Sequence, residues 1–269
     1  MKTHFETAIL CCVLFVFRNA IATAQAPAQI ERRLLEDVKK VDDSSAYRYR
    51  DTDSDRLEKL NSELLTDLLK YTKVAATMDY SFPKLSKEME IVTSADKRFR
   101  IYTWDRQDGG TMHFFETVYQ YRGDDGRVYS RGRFVSGAEK EEGPDAAGYV
   151  DDIFTLQTKQ GKIYLASFSS ILSTSERAAS VNLFSINGST LSDQIKLIKT
   201  ARGLTNTLGF EYDLFSINVE RPPKLITYDS ATRSISIPVV IVEAKYQYGR
   251  VTGKRIIYRY NGAYFVKVA

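Results

Sequence analysis

The chain has 269 residues, a formal net charge of +4, 43% hydrophobic residues and 12% aromatic residues. So small a charge excludes a typical nucleic-acid-binding domain, which carries a strong basic excess. The apolar and aromatic content is high enough for a folded core, which excludes a chain that is disordered over most of its length.

The N-terminus has the pattern of a secretory signal peptide. Residues 8–17 form an unbroken apolar run after Lys2, and Ala22-Thr23-Ala24 supplies the small residues that a signal peptidase reads. This run is too short to cross a bilayer, which takes about 20 residues in a helix. We therefore predict a signal peptide over 1–24 and an exported chain, periplasmic or extracellular, with no transmembrane segment in its mature form.

Removal of the signal peptide leaves a mature chain without cysteine, because Cys11 and Cys12 both lie in the apolar run. Disulfides, thiolate nucleophiles and cysteine-ligated metals are then excluded. His4 is removed as well, so His113 is the only histidine left and a site with two histidines is excluded. We expect neither a metal nor a cofactor. An exported chain without cysteine is more typical of a bacterial envelope than of a eukaryotic secretory pathway.

Two amphipathic helices are predicted in an N-terminal segment, 25–83. Residues 29–40 form a short amphipathic helix or a helical tether. The second helix, predicted over 54–72, has apolar residues at steps of three and four along one face: Leu57, Leu60, Leu64, Leu68 and Tyr71. We expect this stripe to pack on a sheet. Docking to a protein partner through the face from Leu57 to Tyr71 is the alternative.

After Pro83 the pattern changes to β, and we predict an antiparallel β domain over 84–269. Runs rich in Tyr, Phe, Ile and Val are separated by turn residues such as Asn187-Gly188 and Thr252-Gly253. The predicted strands are 98–104, 112–121, 127–135, 152–158, 162–169, 181–186, 208–219, 224–228, 234–243, 254–260 and 263–268. Residues 190–206 are predicted to contain one short helix. The fold class is thus mainly β, with antiparallel meander sheets in a sandwich or propeller-like arrangement.

Two stretches of the β domain resemble each other. Residues 94–101 are similar to residues 230–237, and an internal duplication would place repeat units over 94–135 and 230–268. Stacked β-meander units are the architecture that such a duplication indicates. Because short β sequences also match by chance, chance similarity is the alternative.

The stretch 98–121 contains the single tryptophan, a Gly-Gly turn and His113. In a functional interpretation, His113 is a general base whose tautomer is fixed by Asp105 or Asp108, since imidazole titrates near neutral pH. In the alternative, it is a hydrogen-bonded histidine at the end of a strand. No nucleophile motif accompanies it.

Paired carboxylates about 5–10 Å apart would suffice for glycoside hydrolysis. The candidates are Asp105, Asp108 and Glu116 near the predicted hairpin, or Asp151 with Asp152 farther along the chain. Nothing in their spacing selects one pair. A secreted glycoside hydrolase-like enzyme that uses carboxylates near the 104–116 hairpin is therefore the alternative function.

Two other features favour a non-catalytic binding role. Tyr102 and Trp104 share a strand face and would form a solvated platform that stacks on a sugar ring, unless they pack in the core. Residues 244–269 contain six basic residues and no acid, and Arg255 and Arg259 share a face. This charge suits an anionic surface, or else protects an edge strand from aggregation. We therefore predict an exported binding or envelope-structural module whose partner is a polysaccharide, an anionic envelope surface or a protein, and not a nucleic acid.

Overall fold

A computed structural model describes residues 27–48, 53–133, 148–217 and 224–268. The predicted signal peptide, residues 1–24, lies outside the described residues, so export stays a prediction. The described residues form four layers, with a helical layer followed by three sheets that pack face to face. The prediction of a mainly β fold, with antiparallel sheets and helices near the N-terminus, is confirmed, and the packing of the sheets is sandwich-like.

The helical layer consists of α1, residues 27–43, and α2, Ser54–Tyr71. The carboxylate of Asp53 caps α2 by accepting a hydrogen bond from the backbone N–H of Arg56 at 3.0 Å. The leucine stripe of α2 is buried against α1 and the first sheet, as predicted: Leu57, Leu64 and Leu68. Since the core of the protein covers this stripe, it is not available as a docking face for a partner. No described helix combines the length and the apolar character that a membrane span requires.

The first sheet has the strand order β1-β2-β3-β4, with antiparallel neighbours. Its strands are β1 (Glu90–Thr93), β2 (Phe99–Asp105), β3 (Phe115–Arg122) and β4 (Val128–Gly132). Side chains alternate between its faces, so that Phe99 and Ile101 of β2 face the second sheet while Tyr102 and Trp104 face the helices. Both faces of this sheet are therefore covered.

The second sheet has the order β11-β7-β6-β5, and β8 pairs with β7. Its strands are β5 (Tyr149–Thr158), β6 (Gly161–Ile171), β7 (Glu176–Asn187), β8 (Thr190–Ser192) and β11 (Thr207–Asp213). Tyr164 and Phe184 pack toward the first sheet, whereas Leu165 and Leu183 pack toward the third. This sheet is the central layer of the core, which explains why β6 contains six consecutive buried residues.

The third sheet has the order β10-β9-β15-β14-β13-β12. Its strands are β9 (Ile198–Thr200), β10 (Gly203–Thr205), β12 (Thr227–Asp229), β13 (Ser234–Glu243), β14 (Tyr246–Tyr260) and β15 (Phe265–Val268). All neighbours are antiparallel except β15 and β9. One face packs on the second sheet through Ile235, Ile237 and Phe265. The other face points away from the core.

Two local predictions in this sheet are wrong. Residues 190–206 contain strands rather than a helix, because Ile198 is buried and pairs with Phe265, and this tertiary pairing overrides the local helical pattern. Thr252-Gly253 is not a turn and lies inside β14. The register of β13 and β14 shifts there, and the hydroxyl of Thr252 donates to the carbonyl of Val239 at 2.8 Å. The glycine therefore marks a β-bulge.

The two similar stretches of sequence both contain a hairpin turn. Residues 94–101 include the turn from β1 to β2, and residues 230–237 include the turn from β12 to β13. Lys97 and Arg233 occupy equivalent positions and have left-handed φ angles of 55° and 53°. The two matched segments therefore share one turn geometry.

Candidate functional site

Asp105, at the end of β2, makes three hydrogen-bonding contacts. Its Oδ2 lies 2.5 Å from Nδ1 of His113, and its Oδ1 accepts from the hydroxyl of Tyr47 at 3.1 Å and from the backbone N–H of Gln107 at 2.8 Å. The rings of Tyr47 and His113 pack with their centroids 4.6 Å apart. Burial and the nearby Asp105 carboxylate raise the pKa of Tyr47, so this hydroxyl remains a donor. Of the two predicted partners of His113, the structure therefore selects Asp105 and not Asp108.

The contact with Asp105 determines what His113 can do chemically. With the Nδ1 proton directed at the carboxylate, Nε2 is left as the proton acceptor, which is the arrangement of a general base. His113 precedes the strand, because β3 begins at Phe115 and not at residue 112 as predicted. Its backbone N–H donates to the carbonyl of Ile171 in β6 at 3.0 Å. The loop that carries His113 is thus fixed to the second sheet.

The loop after Asp105 is also anchored to the helical layer. Asn61 of α2 donates to the carbonyl of Arg106 at 2.9 Å, and the hydroxyl of Ser45 donates to the side chain of Gln107 at 2.6 Å. Gln107 has a left-handed φ of 62°, a conformation that costs free energy for a residue other than glycine. A Cβ atom at Gly109 would lie 2.0 Å from the carbonyl oxygen of Met112, so this turn requires glycine.

Asp105 lines an open cleft of about 290 Å³ next to β1 and the start of β5. The wall contains carboxylates and two aromatic rings: Glu88, Glu90, Asp105, Phe115 and Tyr149. Glu90 is directly opposite Thr103, two residues before Asp105. Glu90 and Asp105 are therefore diagonal neighbours on one face, and such neighbours are typically about 7–8 Å apart, with somewhat closer Cβ atoms. His113 borders this cleft through Asp105 and through Phe115, whose ring centroid is 6.4 Å away.

The other carboxylates of the predicted hairpin do not join Asp105. Asp108 forms an ion pair with Arg106 at 2.7 Å. Glu116 is directly opposite Trp104, on the face of the first sheet that meets the helices, whereas Asp105 lies on the opposite face. Asp105, Asp108 and Glu116 therefore do not converge on one point.

Asp151 and Asp152 also have separate partners. Asp151 is the extra residue of a β-bulge in β5, and it accepts a hydrogen bond from the hydroxyl of Ser169 at 2.7 Å. Burial raises the pKa of Asp151 to about 6, although the Ser169 hydroxyl opposes the shift. Asp152 forms an ion pair with Lys224 at 2.6 Å. The two side chains are thus held by different neighbours.

The predicted aromatic platform is wrong, because Tyr102 is fully buried and Trp104 is only 3% exposed. The face of β2 that carries them lies beneath the helices. The hydroxyl of Tyr102 donates to Gln120 at 2.7 Å. Arg100, which gave this face its solvated character in the sequence, is itself buried and donates to the carbonyl of Thr77 at 2.8 Å. These side chains stabilise the fold and do not form a sugar-binding surface.

The outer face of the third sheet presents the basic residues of the C-terminal strands. Directly opposite residues form a row across five strands from β9 to β12: Lys199, Val266, Arg259, Ser234 and Asp229. Arg255 lies on the same side of β14 as Arg259, whereas Ile256 and Tyr258 pack in the core. Lys199, Arg255 and Arg259 are exposed, and we call this surface the basic face. The structure thus adds Lys199 to the two predicted arginines.

Uncharged groups hold the arginines of the basic face. Arg255 donates to the carbonyls of Leu225 at 2.7 Å and Ser236 at 2.8 Å, and Arg259 contacts the hydroxyl of Ser234 at 3.4 Å. Asp229, the acid in the row, accepts from the backbone N–H of Ala231 at 2.8 Å. Among the described residues, none of the ion pairs involves a cation of the basic face. Within the described ranges, the positive charge of this surface is therefore not neutralised by an ion pair, and Asp229 acts on Arg259 only at longer range.

Neither a protein-family model, nor a curated protein, nor a solved structure matches the chain. Within the ranges that the structure describes, no three His, Cys, Asp or Glu side chains are grouped so that they could bind a metal ion. The Asp105 cleft and the basic face are therefore the two candidate functional surfaces of the described residues.

Proposed function

We propose that the protein is an exported, non-catalytic binding module that contacts an anionic surface through the basic face. The observation that carries this proposal is the position of Lys199, Arg255 and Arg259. All three are exposed on one side of a single sheet and lack a direct acidic partner among the described residues. A surface of this kind attracts anionic ligands over a distance of about one Debye length, roughly 8 Å at physiological ionic strength.

The spacing of the three cations favours an extended ligand over a small anion. Arg255 and Arg259 are four residues apart in β14, which corresponds to about 13 Å along a strand. Lys199 lies two strands away from Arg259, which corresponds to about 10 Å across the sheet. A flat array of negative charges matches these backbone spacings better than a single phosphate or carboxylate does.

The backbone contacts of Arg255 add to this argument. Two carbonyls and the hydroxyl of Ser236 hold its guanidinium against the sheet. A cation that is already ordered loses less conformational entropy when it binds. The basic face is therefore partly preorganised.

The proposal is tested by sedimentation of the purified mature protein with phosphatidylglycerol vesicles and by its retention on an immobilised anionic polysaccharide, across a salt series. We expect binding to one of these surfaces that weakens as salt rises. The double variant Arg255→Glu/Arg259→Glu should bind at least about tenfold more weakly, because repulsion replaces attraction at two contacts.

The charge-matched control is Lys59→Glu/Lys70→Glu, since both lysines are exposed on α2 in the helical layer. This control has the same net charge as the arginine variant and should bind like the unaltered protein. Equal weakening in both variants, or no binding to either surface, would contradict the proposal.

Glycoside hydrolysis is a second candidate function, and the position of Glu90 favours it. Glu90 and Asp105 are diagonal neighbours on one face of the first sheet and both line the cleft, so their carboxylates can act as a pair on one bound sugar. Water is the second reactant in that reaction, and one carboxylate takes its proton while the other protonates the departing sugar oxygen. The contact with His113 would fix the orientation of Asp105, which is one of the two carboxylates.

This second function is tested by the release of reducing sugar from soluble polysaccharides. Glu90→Gln and Asp105→Asn should each remove the activity, and Glu116→Gln, on the opposite face of the first sheet, should retain it. The absence of release by the unaltered protein, or equal loss in all three variants, would contradict a hydrolase.

A further inference from the structure

We infer that the anionic surface is a lipid bilayer and that the tip of the β13–β14 hairpin inserts into it. This inference rests on the binding function proposed above and names the partner of the same surface. We call residues 240–251 the hairpin tip.

The apolar side chains of the hairpin tip are unusually exposed. Val242 is 83% exposed and its neighbour Ile241 is 42% exposed. Phe215, which is 65% exposed, lies in a 3-10 helix beside the tip, where the backbone N–H of Val251 donates to the hydroxyl of Ser216 at 3.1 Å. Contiguous apolar exposure of this kind marks an interaction surface in a folded protein, whereas single exposed apolar residues do not.

The groups around these side chains match the chemistry of a membrane interface. Lys245 occupies the turn and lies 5.0 Å from the ring centroid of Tyr246. Arg250 is directly opposite Ile241 and forms an ion pair with Glu243 at 2.8 Å. Tyrosine rings favour the headgroup level of a bilayer, and lysine and arginine favour its anionic lipids. The one acid of the tip is thus paired with a cation of the tip.

The exposed apolar residues favour a bilayer over a hydrated polysaccharide as the partner. Basic residues alone would suit either surface, because both carry negative charge. Burial of aliphatic side chains such as Val242 and Ile241 is favourable in hydrocarbon, and a hydrated polyanion offers no comparable apolar environment. The combination of an aliphatic tip with flanking cations therefore favours anionic lipid.

Ile241 and Arg250 of the hairpin tip point toward the same side of the third sheet as the basic face. Val240 and Val251 are opposite each other and pack toward the core. The next pair, Ile241 and Arg250, therefore faces away from the core, which is also the direction of Arg255. The irregularity near Thr252, where β14 has two residues more than β13, keeps this relation, because Val251 before it and Ile256 after it both pack toward the core. A bilayer on this side of the sheet can contact Ile241 together with the basic face, and Val242, which alternates to the other side, enters it at the end of the hairpin.

The insertion is tested with a fluorescent probe at the tip. In Val242→Trp the new indole is exposed, whereas Trp104 is buried and supplies a constant background. With phosphatidylglycerol vesicles we expect the emission to move to shorter wavelength and to be quenched by brominated acyl chains. Pure phosphatidylcholine vesicles should produce much weaker changes, because they lack the anionic charge.

A matched control places the same probe on the other side of the molecule. Val74 is also exposed, at 39%, and it follows α2 in the helical layer. Its variant, Val74→Trp, should show no quenching by brominated lipid. In a separate binding measurement, Val242→Asp should lower the affinity for phosphatidylglycerol vesicles by about tenfold. The substitution places a charged carboxylate where an apolar side chain would insert into the bilayer.

The outcomes separate this inference from the function on which it rests. Salt-sensitive binding to phosphatidylglycerol vesicles without quenching of the Val242→Trp indole would overturn insertion and leave the basic face as the contact. Binding to the anionic polysaccharide and not to the vesicles would overturn the lipid partner alone. Absence of binding to both surfaces would overturn the insertion and the binding function together.

Discussion

The indole N–H of Trp104 donates to Oδ1 of Asn61 at 3.0 Å, across the interface between the first sheet and α2. The amide nitrogen of Asn61 donates in turn to the carbonyls of Leu57 and Arg106. One buried amide therefore links a helix, a strand and the loop that carries His113. The single tryptophan of the chain therefore stabilises this buried interface and does not form part of a ligand-binding surface.

Asn61→Ala should lower the free energy of unfolding by about 2–4 kcal/mol, because it leaves the buried indole N–H and the Arg106 carbonyl without partners. Urea unfolding followed by Trp104 fluorescence measures this change. Lys59→Ala, on the exposed side of the same helix, is the control. Its contact with Glu63 spans 4.0 Å at the surface and should contribute little. Equal effects of the two substitutions would show that the Asn61 hydrogen bonds do not stabilise the fold.

Asp96 joins the first sheet to the second and should make the protein sensitive to acid. Its carboxylate accepts from Lys162 at 2.6 Å, from Tyr164 at 3.0 Å and from Ser94 at 2.6 Å. Burial acts to raise the pKa of Asp96, but the hydrogen bonds, that of Lys162 first, outweigh it and lower the pKa to about 2. A carboxyl group with a lowered pKa stabilises the fold above its unfolded value of about 4 and loses this effect as pH falls toward 2.

Asp96→Asn should therefore cost about 1–3 kcal/mol of unfolding free energy at pH 7 and much less near pH 2. Denaturant unfolding at several pH values between these limits measures the difference. Glu63→Gln, which removes an exposed carboxylate from α2, should give no such pH-dependent difference. A constant cost for Asp96→Asn across the pH range would contradict the role of its ionised form.

Asp151 should have the opposite pH dependence, because burial raises its pKa to about 6. A carboxyl group with a raised pKa stabilises the fold fully below about pH 4 and loses this contribution as pH rises through 6. Compared with the unaltered protein, Asp151→Asn should gain about 1–2 kcal/mol of stability between pH 4 and pH 7. The difference in urea midpoint between the two proteins, measured at intervals over this range, reports the gain.

Asp152→Asn is the matched control for this experiment, since it removes the neighbouring carboxylate and its ion pair with Lys224. If Asp152→Asn gives the same trend with pH, a general change in charge is the cause and burial of Asp151 is not. A flat difference for Asp151→Asn would also contradict the raised pKa.

Local patterns predicted the elements of this fold better than they predicted its surfaces. The leucine spacing of α2 and the alternation in β2 determine which side chains share a face. They do not determine what covers that face, so the pattern of β2 allows either a solvated platform or core packing for Tyr102 and Trp104, and it is α2 that covers them. Burial of Arg100 depends on the carbonyl of Thr77, which is 23 residues away along the chain. The sequence of the strand alone does not show that a distant carbonyl will satisfy a buried arginine.

The sequence predicts only part of the candidate site, because only some of its contacts join residues that are close along the chain. Asp105 and His113 are eight residues apart, and their contact follows from one tight loop. Tyr47 is 58 residues from Asp105, and no local pattern connects them. Glu90 was missed because β1 has only four residues, too few for a clear alternating pattern. Lys199 joined the basic face through the parallel pairing of β9 with β15, which the sequence gives no means to infer.

The loop that holds His113 against Asp105 should depend on Gly109 and not on Gly110. A Cβ atom at Gly109 would lie 2.0 Å from the carbonyl oxygen of Met112 and 3.0 Å from the hydroxyl of Tyr47, whereas nothing lies within 4 Å of a Cβ atom at Gly110. Gly109→Ala should therefore destabilise the protein by about 1–3 kcal/mol, since backbone must move to relieve the overlap. Gly110→Ala should stay within about 1 kcal/mol of the unaltered protein.

These two alanine variants differ only in where one methyl group is placed, so they separate loop geometry from glycine flexibility. Urea unfolding measures their stability, and the imidazole resonances of His113, one of the two histidines in the sequence, report on its contact with Asp105. Gly109→Ala should shift these resonances and Gly110→Ala should leave them in place. Equal stability and unchanged resonances in both variants would mean that the loop does not need the close approach at Gly109 to hold the Asp105–His113 contact.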